Sequence, residues 1–423
     1  MKKYLVLFLI LPVITFAQNI NGRFSSSAYT FERFDVNRNS DTYFRTFQSL
    51  LLNVNESRFA LRTRVNLEAD IANKLDNDPR VRFYNLYLEG RNLLDIATIK
   101  IGRQSLINTV AGGVYDGASA KFDYKMFELS GFYGGNVPAY QKLELTDDFA
   151  NDYVLGGKFA ATPTNELRLE VNYIDKNFKA QEYEAIRLDE NFNPINVLIQ
   201  KNSNQYKFVG GKASYTIDKL VDVNTSVEYD LNFRTLSKFE LQGRYDITDD
   251  LGINAYFNQR EPRVRYNSIF SVFNFGNTQE IEAGADYKIN DEMTVTGKFA
   301  NVTYEDDDAQ RLAFGLNTLY GSINYRKTFG YAGELDAVSL YTAKSILDGM
   351  LTASAGVSYT SYKLSPDDEK NNLASLLLGL NVRPWRSFSF DIQGHYMDNK
   401  IYKNDLRLLL KINHWFNTNL SLL

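Results

Sequence analysis

Basic residues gather near both ends of this chain, at spacings suited to handling anions. Arg45 is followed by Arg58, Arg62 and Arg64, and Arg407 and Lys411 stand close to the other end. In an extended segment successive side chains point to opposite faces, so the even spacing of Arg58, Arg62 and Arg64 puts three guanidinium groups on one face. Fixed cations along an aqueous passage draw anions in and pass them on with no covalent step. Bond-making chemistry has little to work with. His395 and His414 are the two histidines; Asp391 shares the parity of His395, but no serine completes a triad and no Gly-x-Ser-x-Gly turn occurs. The absence of cysteine excludes a thiolate nucleophile, a disulfide framework, a lipoprotein anchor and thiolate metal ligation. The acidic runs Glu305-Asp306-Asp307-Asp308, Asp367-Asp368-Glu369 and Asp147-Asp148 match no calcium-loop spacing and read as solvated hairpin tips. No catalytic residue, metal ligand or cofactor site is therefore expected.

The elements that must position these charges are strands. In Lys238–Ile247, Phe239, Leu241, Gly243, Tyr245 and Ile247 alternate with Lys238, Glu240, Gln242, Arg244 and Asp246, giving one oily face and one charged face. Arg58–Asp70, Glu166–Tyr173, Leu251–Arg260, Ile281–Ile289, Leu351–Tyr359 and Ser387–Tyr396 repeat the pattern. Tyr173, Tyr215, Tyr229, Tyr245, Tyr287 and Tyr396 fall near strand ends on the apolar parity, where amphipathic rings settle at a headgroup level. Repeated along the chain, this is the pattern of an all-β fold, a transmembrane antiparallel β-barrel. Marking every plausible strand gives roughly twenty; typical strand spacing and an even number favour about 18, within a range of about 16–22. Short polar turns, as at Thr248–Asp250 and Asn290–Glu292, are expected to face the periplasm. Ser105–Gly117, Asn136–Asp152, Phe178–Asn204 and Glu261–Asn277 are expected as outward loops, and the apolar Phe178–Asn204 is also a candidate to fold inward as a constriction.

Lys2 and Lys3, the apolar Tyr4–Phe16 and the small-residue site ending at Ala17 read as a secretory signal, so residues 1–17 are expected to be a signal peptide and 18–423 a single barrel domain. That apolar stretch is shorter than the roughly 20 residues a spanning helix needs, and no later segment approaches this length. The net charge is −4, which gives no reason to expect a nucleic-acid partner. The expected surroundings are outer-membrane lipid and lipopolysaccharide in a Gram-negative cell, with a hydrophilic solute as the partner of the lumen.

Gly102-Arg103-Gln104 ends one strand, and Asp116-Gly117 opens the next after an intervening loop. In this pairing the chain resembles the alginate-export family of outer-membrane barrels. The resemblance implies an 18-stranded monomeric channel with a positively charged constriction that passes an anionic polysaccharide or a smaller anion, and it assigns Arg103 a place among the basic residues. For Arg103 and Asp116 two roles stay open: lining the passage, or tying a loop at the rim as a salt bridge. Strand parity adds Arg168 to the inward set, and closure of the barrel would bring Arg407 and Lys411 beside Arg45, Arg58, Arg62 and Arg64 as a basic wall; the alternative is that neighbouring Glu and Asp side chains neutralise it. The function expected from the residues is a porin for passive diffusion of hydrophilic solutes, anion-preferring, with no enzymatic activity. The alternative is a non-conducting surface or adhesion barrel that binds a partner through its external loops.

Overall fold

A computed structural model describes residues 19–34, 40–72, 74, 79–106, 110–137, 146, 148–188, 193–261, 277–304, 307–330, 335–363, 369–400 and 405–419. The expected signal peptide lies outside these residues, as do Glu305, Asp306, Asp367, Asp368 and Asp147 of the acidic runs. The chain runs through β1 (Asn19–Phe34), β2 (Ser40–Glu56), β3 (Phe59–Asp70), β4 (Arg80–Leu93), β5 (Ala97–Leu106), β6 (Gly113–Tyr124), β7 (Phe127–Val137) and β8 (Tyr153–Ala161). It continues through β9 (Leu167–Leu188), β10 (Pro194–Ile217), β11 (Val221–Asp230), β12 (Thr235–Asp246), β13 (Leu251–Arg260), β14 (Thr278–Asn290) and β15 (Met293–Tyr304). The remaining strands are β16 (Asp307–Thr318), β17 (Gly321–Gly330), β18 (Leu335–Ile346), β19 (Leu351–Tyr362), β20 (Asn371–Trp385), β21 (Phe388–Asp398) and β22 (Asp405–Asn419).

Each strand pairs antiparallel with its sequence neighbours, and β1 pairs with β22, from Asn19 opposite Asn419 to Tyr29 opposite Leu409. The sheet thus closes into one 22-stranded barrel with no free edge. This corrects the expected count of about 18. Two features hid the extra strands. β16 and β17 are separated by the two residues Leu319 and Tyr320, neither of them a usual turn residue, and strand lengths run from 9 to 24 residues, so an average spacing misleads.

One rim carries both ends of the barrel and connections of two to five residues; the other carries every link longer than five, up to the stretch 261–277. In barrels of this kind the short-turn rim is the periplasmic one. The segment Phe178–Asn204, expected as a loop, lies mostly within β9 and β10, which keep pairing up to Leu188 opposite Pro194. Pairing of β8 with β9 ends at Asn177 and that of β10 with β11 begins at Phe208, so this hairpin stands above the wall as a two-stranded ribbon.

The faces sort as alternation requires. Leu376, Leu378 and Leu380 of β20 and Leu406, Leu408, Leu410 and Ile412 of β22 are exposed on the outside, while Ser375, Leu377 and Gly379 look inward. Tyr124, Phe127, Tyr215, Tyr245, Tyr287 and Trp385 form an exposed aromatic girdle close to the short-turn rim. An apolar belt edged by aromatic rings is stable against acyl chains and would be costly against water.

Candidate lumen site

The charged inner wall is laced by cross-strand ion pairs. Glu128 on β7 accepts from Lys121 at 3.4 Å, Lys158 at 2.6 Å and Arg168 at 3.2 Å, joining β6 to β9. Glu89 on β4 is reached by Arg62 at 3.2 Å and Lys100 at 3.6 Å. Further round, Lys298 lies 2.9 Å and Arg311 2.8 Å from Glu282, Arg311 also binds Glu280, and Arg244 bridges Asp246 and Asp286. Each pair is close enough for the attraction to matter in a partly hydrated wall. The inner faces of β18 and β19 differ: Ser339, Ser354, Ser358, Thr352 and Thr360 stand there, and Ser358 shares a 2.7 Å hydroxyl contact with Ser375 of β20. The lumen therefore has a charged arc and a hydroxyl-rich arc.

Of the nine residues expected to line the passage, Arg45 and Arg407 come together across the β1–β22 seam. They line one recess of about 480 Å³ with His395, Leu377, Tyr29 and Phe31. Both are matched by carboxylates. Arg45 lies 3.2 Å from Glu68 and 3.7 Å from Asp70, and its guanidinium covers the Phe31 ring at 5.0 Å; Arg407 holds the fully buried Asp405 at 2.7 Å. Arg62 is tied to Glu89. Arg168 belongs to the Glu128 cluster on the far side of the seam. Arg64 is exposed, its guanidinium 5.4 Å above the Tyr84 ring, and Lys411 stands opposite Asp391 on β21 and Ser27 on β1. Arg58 sits in the Ser57–Arg58 turn on the short-turn rim, 3.2 Å from Asp95 of the next turn, and so belongs to the rim and not to the wall. Arg103 donates two hydrogen bonds to Asp116, at 2.8 and 2.7 Å, and is 6% exposed. Its charge is spent on its cross-strand partner. The expected wall is therefore dispersed, with Arg64 and Lys411 as its members that make no ion pair among the described residues; Arg23 of β1, opposite Leu51 and Trp415, makes none either.

The structure adds a feature that strand parity did not foresee. On the inner wall β7–β10 present Phe132, Val154, Ile174 and Phe208, apolar residues where charge prevails elsewhere. Gly156 lies between Phe132 and Ile174 in the ladder, and a Cβ there would meet the Phe132 ring at 2.6 Å, so the glycine makes room for the ring. Ala111, from the β5–β6 connection, packs into this patch with Leu106 and Tyr115, and Val110 lies against it. Lys176 of β9 donates a 2.8 Å hydrogen bond to the Gly112 carbonyl. β6 and β9 are three strands apart, roughly 14 Å along the wall. The described part of the connection, Val110–Gly112, therefore lies against the inner surface, which corrects the expectation that all of Ser105–Gly117 faces outside. Beneath it, Val110 shares a recess of about 440 Å³ with Arg168, Lys212, Ser226 and Lys238. Apolar residues on both parities, as at Tyr153-Val154-Leu155, are the trace this docking patch leaves in the sequence.

Closed wall, apolar outside, charged inside: this is a porin-type, integral outer-membrane β-barrel. No protein-family model matches the chain, and no curated protein matches it in sequence. Solved structures resemble it weakly. OccAB3 of Acinetobacter baumannii is 12% identical over 94% of this chain and 99% of that one, with a TM-score of 0.45. The translocation pore of the P pilus usher PapC is 8% identical over 95% and 100%, at 0.47. OccK2 (OpdF) of Pseudomonas aeruginosa, solved in complex with glucuronate, is 9% identical over 96% and 99%, at 0.45. At such values the likeness carries no inference about solute or mechanism.

Within the barrel, the β5–β6 connection and the charged arc facing it can narrow a water-filled path and expose a passing solute to fixed charges.

Proposed function

We propose that this protein is a passive outer-membrane channel for small hydrophilic solutes, with the inward β5–β6 connection as its constriction. The observation that carries the reading is the recess beneath Val110, where a loop anchored by Lys176 faces charged and hydroxyl side chains of β9–β12. The channel prefers anions: Arg23, Arg64 and Lys411 stand near the seam without ion pairs among the described residues. An anionic saccharide is the solute class implied by the resemblance at Gly102, Arg103, Gln104, Asp116 and Gly117, and a monomer is the assembly it implies. Because Arg103 and Asp116 neutralise each other, recognition of such a solute falls to the cations of the lumen.

Purified protein in planar bilayers is expected to give discrete steps, with a reversal potential in a KCl gradient displaced toward that of chloride. Replacing Arg64 and Lys411 together by glutamine should move it toward zero; no displacement in the unaltered protein would remove the anion preference. A second reading, a non-conducting surface barrel, draws on the β9–β10 ribbon, where Ile186, Ile195 and Leu198 are exposed. Channel steps of any selectivity count against it.

A further inference from the structure

We propose that the recess beneath Val110 is a subsite for a small oxyanion, held by Lys212 and Ser226. The subsite deepens the channel reading, yet it stands on observations of its own. Lys212 of β10 lies directly opposite Ser226 of β11 in the ladder, and both line the recess. Among the described residues Lys212 makes no ion pair, and the Ser226 hydroxyl is buried with no hydrogen-bond partner. A buried polar group normally finds a partner, so an unspent hydroxyl beside an unspent ammonium points to something that visits. An oxyanion satisfies both at once, accepting a charge-assisted bond from the ammonium and a second from the hydroxyl.

The surroundings favour the same ligand. Asn172 reaches the recess from β9, and Gly210 beside it leaves room for its amide, since a Cβ at Gly210 would lie 2.8 Å from Asn172 Oδ1. Ser214 and Asn224 complete the polar lining. Three carboxylates also reach the recess, and each is already engaged. Glu170 lies 3.6 Å from Lys158 and 4.0 Å from Arg168; Glu240 lies 2.9 Å from Lys238 and accepts from the Tyr256 hydroxyl at 3.3 Å; Glu228 has a partner of its own. Lys212 stands opposite Glu170 in the β9–β10 ladder without an ion pair to it, and is the recess cation that no carboxylate binds directly among the described residues. At about 440 Å³ the recess admits a hydrated carboxylate or phosphate group together with part of the molecule that carries it.

Two measurements on the full-length protein test this, with retention of the heat-dependent gel shift of a folded barrel as the control for K212Q, K212R and S226A. In planar bilayers, K212Q is expected to lower the anion-to-cation permeability ratio about 2- to 5-fold, the range for one partly exposed charge. K212R should retain the ratio and S226A should lower it less. Inorganic phosphate and acetate, titrated separately onto detergent-solubilised protein and followed by phosphorus and carbon line widths, should bind the unaltered chain and K212R, and bind K212Q more weakly. Unchanged permeability and unchanged binding in K212Q and S226A would overturn the subsite while leaving the channel in place. Lys212-dependent binding without channel steps would overturn the channel reading and keep the subsite. Absence of phosphate and acetate binding to the unaltered chain removes the subsite whatever the conductance.

Discussion

Lys176 is the residue on which the constriction turns. Its ammonium reaches the Gly112 carbonyl across 64 positions of sequence, and a hydrogen bond from a charged donor contributes about 1.5–3 kcal/mol. Lys176→Met should leave the barrel folded but release the β5–β6 connection, so unitary conductance should rise and current noise increase; a variant with unchanged conductance would show that this connection does not set the narrowest point. At the short-turn rim, Lys288 Nζ lies 2.6 Å from Asp291 Oδ1, and this hydrogen bond holds the Asp291 carboxyl below its ordinary 3.8. A depressed carboxyl stabilises the fold above the unfolded value and loses that contribution as the pH falls through the lowered one. The urea midpoint of Asp291→Asn should thus sit slightly below that of the unaltered chain near neutral pH, and the two should converge as the solution is acidified from the ordinary carboxyl value of 3.8 downward through the lowered one. Parity assigns Arg58, Arg62, Arg64, Arg168, Arg407 and Lys411 to the inner face. It could not show that Arg45 and Arg62 are answered by carboxylates, because Glu68 and Glu89 stand on neighbouring strands whose register is set by pairing; Asp405, two residues from Arg407 on β22 and of the same parity, was within its reach. Lys176 was beyond reach for the same reason: its partner is a backbone carbonyl on a distant connection.

Among the strands, alternation is legible where lipid enforces it. β12 and β19 read correctly because acyl chains on one side and water on the other leave each position a single tolerable polarity. Above the bilayer that constraint lapses, and so the ribbon of β9 and β10 reads as a loop although its backbone pairing continues. A parity test separates adjacent residues of β20. Leu378→Arg turns a charge toward the acyl chains near the middle of the strand and should cost about 2–4 kcal/mol of folding stability, whereas Leu377→Arg points into the lumen and should cost far less. Denaturant titration of the two variants in vesicles reads the difference, and equal losses would contradict the assigned faces. Shortening the ribbon by deleting residues 180–201 should leave melting of the barrel nearly unaltered, because wall pairing there is complete from Asn177 and Phe208 downward.

At the scale of the molecule, the class of fold was legible and the circumference was not. Closure needs an even strand count and two compatible ends, and both conditions are met by several totals; typical strand spacing favours about 18, and strands of 9 to 24 residues joined by turns as short as Leu319–Tyr320 depart from it. The seam has a further consequence, which concerns time. Asn19 donates a hydrogen bond to Asn419, 400 positions later, and the eleven pairs that join β1 to β22 have no partner until the last strand exists. Contacts so distant in sequence form slowly, since the chain must lose the entropy of a very large loop before they return anything. The β1–β22 seam is therefore expected to be the last pairing of the wall to form.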